Sequence, residues 1–568
     1  VSTPEEGWQE LDRRTVAVTA LLALGGSIAA GLPIGISIAR NTSAGTALLW
    51  VLPATVLLVV GASVLDLVRW RRTRYRITPG RVELRTGILV ATHRSLQRDR
   101  IRAVDVTADP LLRAFGLVAV RVGTGEQSGA GEGSVALRPV PAAAGAALRR
   151  ELLDRAHTTA PADGVLAALD PAWIRYAPMS FLAPVLGASA FAGALQVSEW
   201  FGLEEGVIAW VGSLFHGVPI VAMIAVLTVI ALVVGAVAAL ALWVEMWWNY
   251  RLERQPGTLH VSRGLLTTRS ISVEEARLRG VEFVEPLGVR LAGAARVDAV
   301  ATGLGSAKPE EDKTDRRTLL PAAPRAVAQG VAATVLREAV SPTDAVRLTG
   351  HPTAARGRRL RWALGAVVVV EAPLVLLGAL LTDVLLHIAW ISAVVLVPVA
   401  VVLALDAYRS LGHGLGERYL VTRSGSVRRT TVALQRGGII GWTFRQSIFQ
   451  RRAHLVTVIA TTAAGTGAYA VPDAGSDDGL ELAAATVPGL LVPFLEPVGE
   501  AVHRRTAAVV RSTSPVASTS SSAPRNVAST AVGSWSGPST SPSSAIQSST
   551  PWTANPAHGP SGSTSERA

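Results

Sequence analysis

Six apolar runs, each near twenty residues, constrain this chain more than any other feature. They cover about Val16–Ile38, Ala47–Val68, Met179–Val197, Val218–Val244, Ala363–Leu381 and Ile388–Leu405. A helix needs about 20 consecutive apolar residues to cross roughly 30 Å of hydrocarbon. The runs come in pairs with short links, so each pair predicts a membrane hairpin. Pro33, Pro53, Pro219, Pro373 and Pro398 lie in or beside the runs, which membrane helices tolerate. The first run is too long for the apolar core of a secretory signal and lacks a persuasive A-x-A cleavage pattern.

Charge gives the hairpins a direction. The net charge is +12, almost all from arginine, since Lys308 and Lys313 are the only lysines. Arg13 and Arg14 precede the first run, and Arg69, Arg71, Arg72, Arg74 and Arg76 follow the second. Arg251 and Arg254 follow the fourth; Arg356, Arg358, Arg359 and Arg361 precede the fifth. The links carry Glu199, Glu204, Glu205 and Asp383, with Arg40 the one exception. The positive-inside rule then sets the N-terminus and all intervening segments in the cytoplasm of a multi-pass cell-membrane protein. Basic charge concentrated beside the bilayer argues against nucleic acid as partner. Trp243, Trp247, Trp248 and Tyr250, ending the fourth run, read as an interfacial aromatic belt.

The segments between hairpins repeat one layout. Each opens on a tyrosine (Tyr75, Tyr250, Tyr419) and continues in stretches of alternating polarity, such as Arg81-Val-Glu-Leu-Arg and Thr258-Leu-His-Val-Ser. Period-2 alternation is the mark of half-buried strands. Further on, an arginine (Arg113, Arg290, Arg451) precedes a valine (Val120, Val297, Val458) by seven residues, read as a short helical turn entering a strand. A proline (Pro139, Pro321, Pro472) is read as following the last strand, and an Ala/Leu-rich helix as closing each copy: about Ala142–Ala156, Arg325–Val340 and Gly479–Val487. The resulting plan is residues 1–68 as N-terminus and first hairpin, and 69–158 as first soluble domain. Residues 175–246 form the second hairpin and 247–340 the second domain; 360–407 form the third hairpin and 408–497 a divergent third domain. Residues 513–568 are Ser/Thr/Pro-rich with few large aliphatics and are expected to be a disordered tail.

The runs Arg74-Tyr-Arg-Ile-Thr, Leu84-Arg-Thr-Gly-Ile-Leu, Asp99-Arg-Ile-Arg-Ala-Val-Asp-Val and Leu112-Arg-Ala-Phe-Gly-Leu resemble the bacterial pleckstrin-homology (PH) family of membrane proteins. The threefold layout over about Glu10–Pro497 is similar to the family's YdbT-type members. The second copy departs with Arg277-Leu-Arg-Gly-Val-Glu-Phe-Val, and the third lacks the Gly-Ile-Leu turn. The resemblance implies PH-like β-barrels or sandwiches, each closed by a C-terminal helix. It also implies an interaction or assembly role without enzymatic activity.

Chemistry in the sequence is sparse. The absence of cysteine excludes disulfides, thiolate metal sites and cysteine nucleophiles. The ten histidines show no metal-binding spacing, and no catalytic residue, cofactor site or metal site is assigned. Gly123-Thr-Gly-Glu and Gly129–Gly133 lack the Gly-Lys-Ser/Thr of a phosphate loop and read as a hairpin loop. Arg94, Arg98, Arg100 and Arg102, with Arg113, form a candidate patch for an acidic partner or lipid headgroup; the duller reading is a solvated strand face. The juxtamembrane cluster Arg69, Arg71, Arg72, Arg74 and Arg76 sets topology and could also hold anionic lipid, and Arg356–Arg361 is similar. Glu371 lies deep in the fifth run, where an ionisable group is expected to face the bundle interior. The first functional expectation is a non-enzymatic membrane scaffold in contact with the bilayer, with copies of itself, or with other membrane proteins. The alternative is a transporter or export and resistance accessory using a polar path near Glu371.

Overall fold

The computed structural model describes residues 8–87, 91–98, 101, 103–123, 134–153, 164–180, 182–302 and 317–494. The tail at 513–568 and the glycine-rich loop after Gly123 lie outside them, as do Arg100 and Arg102.

The first unit opens with β1 (Gln9–Glu10) and the helices α1 (Thr15–Asn41) and α2 (Ala44–Arg72). There follow β2 (Arg74–Ile77), β3 (Arg81–Thr86), β4 (Thr92–Gln97), β5 (Ala103–Ala108), α3 (Pro110–Ala114), β6 (Leu117–Gly123), β7 (Ser134–Pro141) and α4 (Ala142–Leu153). The second unit has β8 (Gly164–Ala168), α5 (Leu182–Phe201), α6 (Glu204–Leu214) and α7 (Ile220–Trp247). Its soluble part is β9 (Arg251–Gln255), β10 (Thr258–Arg263), β11 (Thr268–Glu274), β12 (Leu278–Pro286), α8 (Leu287–Leu291), β13 (Ala294–Ala301), β14 (Thr318–Pro324), α9 (Arg325–Leu336) and α10 (Pro342–Ala345). The third unit has α11 (Thr353–Leu381) and α12 (Asp383–Arg409), then β15 (Gly412–Leu415), β16 (Tyr419–Ser424) and β17 (Arg428–Gln435). It ends with β18 (Ile439–Arg445), α13 (Ile448–Arg452), β19 (Leu455–Thr462), β20 (Ala468–Gly475) and α14 (Ser476–Thr486).

Among the described residues five helices are long and apolar enough to cross a bilayer: α1, α2, α7, α11 and α12. The sequence reading expects six. The missing one is α5, a 20-residue helix rich in Gly and Ala. It nevertheless packs antiparallel on α7 through small residues. A Cβ on Gly187 would stand 2.0 Å from the Ala231 carbonyl oxygen, and one on Gly235 would stand 2.0 Å from that of Ala183. Ala183 and Gly187, like Ala231 and Gly235, are four apart and share a helix face. Such small-xxx-small faces let membrane helices approach closely.

Each soluble unit is two half-sheets closed over an apolar core. In the first, Tyr75, Val82, Leu84 and Leu96 from one half-sheet meet Val104, Val120, Leu137 and Val140 from the other, with Leu148 of α4 against them. The opening tyrosines are core residues: Tyr75, Tyr250 and Tyr419 are all buried, and the Tyr250 hydroxyl donates to the Leu319 carbonyl oxygen. Tyr250 and Trp247 are therefore not belt anchors. Trp247 stacks edge-on to Tyr250 at 5.8 Å and carries Arg263 over its face at 4.2 Å. Trp248 is exposed.

The prolines expected after the last strands lie within them. Pro139, Pro321 and Pro472 sit in β7, β14 and β20, each the terminal strand of its sheet. In all three the register against the neighbouring strand shifts at that point, between Val140 and Leu137, Ala323 and Leu320, and Ala474 and Val471. Proline cannot donate to a ladder, so a bulge on an edge strand is where a sheet tolerates it. The third unit also makes its hairpin without the expected turn sequence: Gly425 takes φ +96° between β16 and β17, as Gly264 takes φ +112° between β10 and β11. A Cβ at either would lie about 2 Å from a backbone oxygen, so glycine is required there.

Candidate interaction surface

The half-sheets do not stop at the unit boundaries. One seven-stranded sheet runs β7-β6-β5-β11-β10-β9-β8, and one six-stranded sheet runs β14-β13-β12-β17-β16-β15. The fifth strand of each unit thus pairs antiparallel with the third hairpin strand of the next. At the first seam Ala103 faces Val273 and Ala108 faces Thr268. At the second, Gly280 faces Leu434 and Pro286 faces Arg428. The two registers are equivalent, because Val273 and Leu434 each stand one residue before the strand end that leads into a 3-10 turn.

Side chains reinforce the seams, and the arginines marked by their spacing to valine are among them. Arg113 on α3 donates from Nη1 to the carbonyl oxygen of Leu265, in the β10–β11 turn of the second unit. Arg290 on α8 reaches Asp406 of α12 at 2.8 Å, and the Leu287 amide donates to the Val427 carbonyl oxygen at 2.7 Å in the β16–β17 turn. Asp406 also accepts from Ser426 at 2.7 Å, and Glu245 at the end of α7 accepts from the amides of Leu266 and Thr267 at 3.0 and 2.8 Å. These acids tie hairpin turns to the ends of the long helices.

The third unit is locked to its own hairpin by a buried carboxylate. The bulge at Pro472 leaves Asp473 at φ +61° and fully buried. Its Oδ1 accepts from Arg358 at 2.5 Å and Gln450 at 2.9 Å, and its Oδ2 from Arg359 at 2.9 Å. His351 Nδ1 lies 3.1 Å from the Asp473 carbonyl oxygen, and His351 Nε2 lies 3.0 Å from His413 Nδ1. Burial, with the neighbouring His413 imidazole, pushes His351 down to about 4; burial also lowers His413. Both rings are neutral at pH 7.

Residues 26–156 and 367–490 match the family model of the bacterial PH domain. These two segments are bacterial PH domains. No curated protein and no solved structure matches the chain. Both matches begin inside the first helix of a helix pair, so the matched segment includes the hairpin as well as the PH strands and closing helix. The second unit, unmatched, has the same order of strands and short helix between its two seams.

Around the PH domains the basic residues separate into groups. Arg94 lies half-buried in β4 and Arg98 in the turn after it, and Arg113 takes part in the first seam. In the juxtamembrane cluster, Arg76 gives two hydrogen bonds to Glu83 at 3.1 and 2.6 Å and stacks on Trp8 at 4.9 Å. That contact holds the Glu83 carboxyl below its ordinary range. Arg74 pairs with Glu10 at 3.3 Å. Arg69, Arg71 and Arg72 are exposed at the end of α2. Arg358 and Arg359, near the start of α11, both pair with Asp473. Glu371 is 9% exposed, and neither carboxylate oxygen has a hydrogen-bond partner among the described residues. The seams themselves carried no signal in the sequence beyond the arginine spacing.

Proposed function

We propose that the chain is a non-enzymatic membrane scaffold whose PH domains, all on the cytoplasmic face, form one platform for assembly at the bilayer surface. The observation that carries this reading is the sharing of sheets between units. Strands that pair must lie on the same side of a bilayer, since an open sheet edge cannot pass through hydrocarbon. The membrane segment between successive PH domains then crosses an even number of times. On that argument α5 crosses with α7, and the layout is three hairpins, as in YdbT-type proteins. Arginine at the soluble ends of the hairpins favours the cytoplasm as the common side. Exposed Arg69, Arg71 and Arg72 at the bilayer level add attraction for anionic lipid, on the order of 1 kcal/mol each.

A second reading rests on Glu371, a buried carboxylate without a bond among the described residues, which suits a transporter or transport accessory. Native gel electrophoresis of solubilised membranes, paired with proton flux in proteoliposomes, separates the two. The scaffold reading expects a complex heavier than one chain and flux equal to that of empty vesicles. A single chain whose flux disappears in Glu371→Gln would overturn it in favour of transport.

A further inference from the structure

The two seams leave the series unfinished at both ends. Strand β18 occupies in the third unit the place that β5 and β12 hold in the others. It follows a 3-10 turn, as β12 does, and shifts register against its partner at Gly441 as β12 does at Gly280. Yet β18 is the terminal strand of its sheet. At the other end, β4 occupies the place of β11 and β17 and is likewise the terminal strand of its sheet.

Burial shows what the missing neighbour would supply. Phe283 in β12 is 2% exposed, while its equivalent in β18, Phe444, is 40% exposed and Ile440 is 65% exposed. The Trp442 Nε1 donor is buried and has no hydrogen-bond partner among the described residues. On α13, Ile448 and Phe449 are largely exposed, and the marker Arg451 is exposed where Arg113 and Arg290 bind the next unit. Other sheet ends are blunted as proteins usually blunt them: β7, β14 and β20 by proline and a bulge, β8 by a bulge between Val165 and Ala167, β1 and β15 by their two- and four-residue lengths. Neither β4 nor β18 contains proline.

We infer that β18 of one chain pairs antiparallel with β4 of a second copy, repeating the internal seam between molecules. The internal register fixes the intermolecular one: Gly441 opposite Leu96, Trp442 opposite Ser95, and Phe444 opposite His93. The contact uses different surfaces on the two copies, so it generates a closed ring or a filament and not an isolated dimer. Each added copy brings its own hairpins into the same bilayer. This names the partner of the assembly reading above and rests on it.

The absence of native cysteine allows a direct test on the full chain in its own membrane. Chains carrying Phe444→Cys are co-expressed with chains carrying His93→Cys and oxidised, and Trp442→Cys is paired with Ser95→Cys in the same way. Facing residues of an antiparallel pair lie about 4.5–5.5 Å apart at Cα, within disulfide reach. The expected result is a mixed disulfide dimer in both combinations, a ladder of multiples when both cysteines share one chain, and none from either single variant alone. Phe444→Cys with Gln97→Cys, four residues out of register, is expected to stay uncrosslinked. Equal cross-linking of that offset pair, or none in the two registered pairs, overturns the inference. If the registered pairs fail while native gels still show a heavy complex, the scaffold reading stands with a different partner. If the chain is also a monomer, both fall.

Discussion

Replacing Asp473 by Asn removes one negative charge from a fully buried site and turns one of the two oxygens that accept from Arg358, Arg359 and Gln450 into an NH2 donor. Asn tolerates the left-handed backbone that Asp473 adopts at φ +61°, so strain does not enter. The two guanidiniums of Arg358 and Arg359 lose their shared counter-charge while remaining about three-quarters buried, at 20% and 27% side-chain exposure. Removing one member of a buried ion pair costs about 3–5 kcal/mol. Partial exposure of the arginines sets the lower end, about 3 kcal/mol. For a cooperative unit of about 150–250 residues that corresponds to a fall of roughly 6–12 °C in Tm. The assay is thermal unfolding of the purified protein in detergent, followed by tryptophan fluorescence. Asp477→Asn, at an exposed position four residues after Asp473, serves as control and should change stability by less than about 0.5 kcal/mol. Equal melting of Asp473→Asn and wild type would refute the argument that this carboxylate locks the third PH domain to its hairpin.

Two further outcomes follow from the same geometry. Since His351 has its pKa lowered to about 4 in the folded protein, against about 6.5 unfolded, its contribution to stability is full above pH 6.5 and is lost as pH falls towards 4. Lowering the group from about 6.5 to about 4 is worth roughly 3 kcal/mol, so His351→Gln should flatten that limb of a stability–pH profile; an unchanged slope would contradict it. Gly187→Leu places a side chain where a single Cβ already meets the Ala231 carbonyl oxygen at 2.0 Å, whereas a Cβ at Gly193 meets nothing within 4 Å. Overpacking of about 1–3 kcal/mol should therefore appear in the melting of Gly187→Leu and not of Gly193→Leu.

The parts of this architecture readable from sequence are those set by local pattern. Apolar length marks the long helices, the opening tyrosines mark the start of each core, and the arginine-to-valine spacing marks α3, α8 and α13 with the strands after them. What escaped reading depends on partners distant in the chain. Alternation within β5 or β12 reports which face is buried, but not which strand lies along the edge, so the seams were invisible. Pro321 and Pro472 read as strand ends because proline breaks ladders, and only the bulged edge shows that the strand continues past them. Trp247 and Tyr250 carry the composition of an interfacial belt, yet their rings turn into the core of the second unit. The marker arginines were noticed as a repeat, but their role needed the turn of the next unit in place.

The account stands or falls on the three soluble units sharing one side of the membrane. Single cysteines in the cysteine-free chain, at Ser95, Ser262 and Thr443 in the soluble units and at Thr42, Ser213 and Thr382 in the links, can be exposed to a membrane-impermeant maleimide in intact cells. The predicted result is labelling at all three links and protection at all three soluble positions until the cells are lysed. Labelling of Ser262 without Ser95, or protection of Ser213, would put paired strands on opposite sides of the bilayer and contradict the shared sheets.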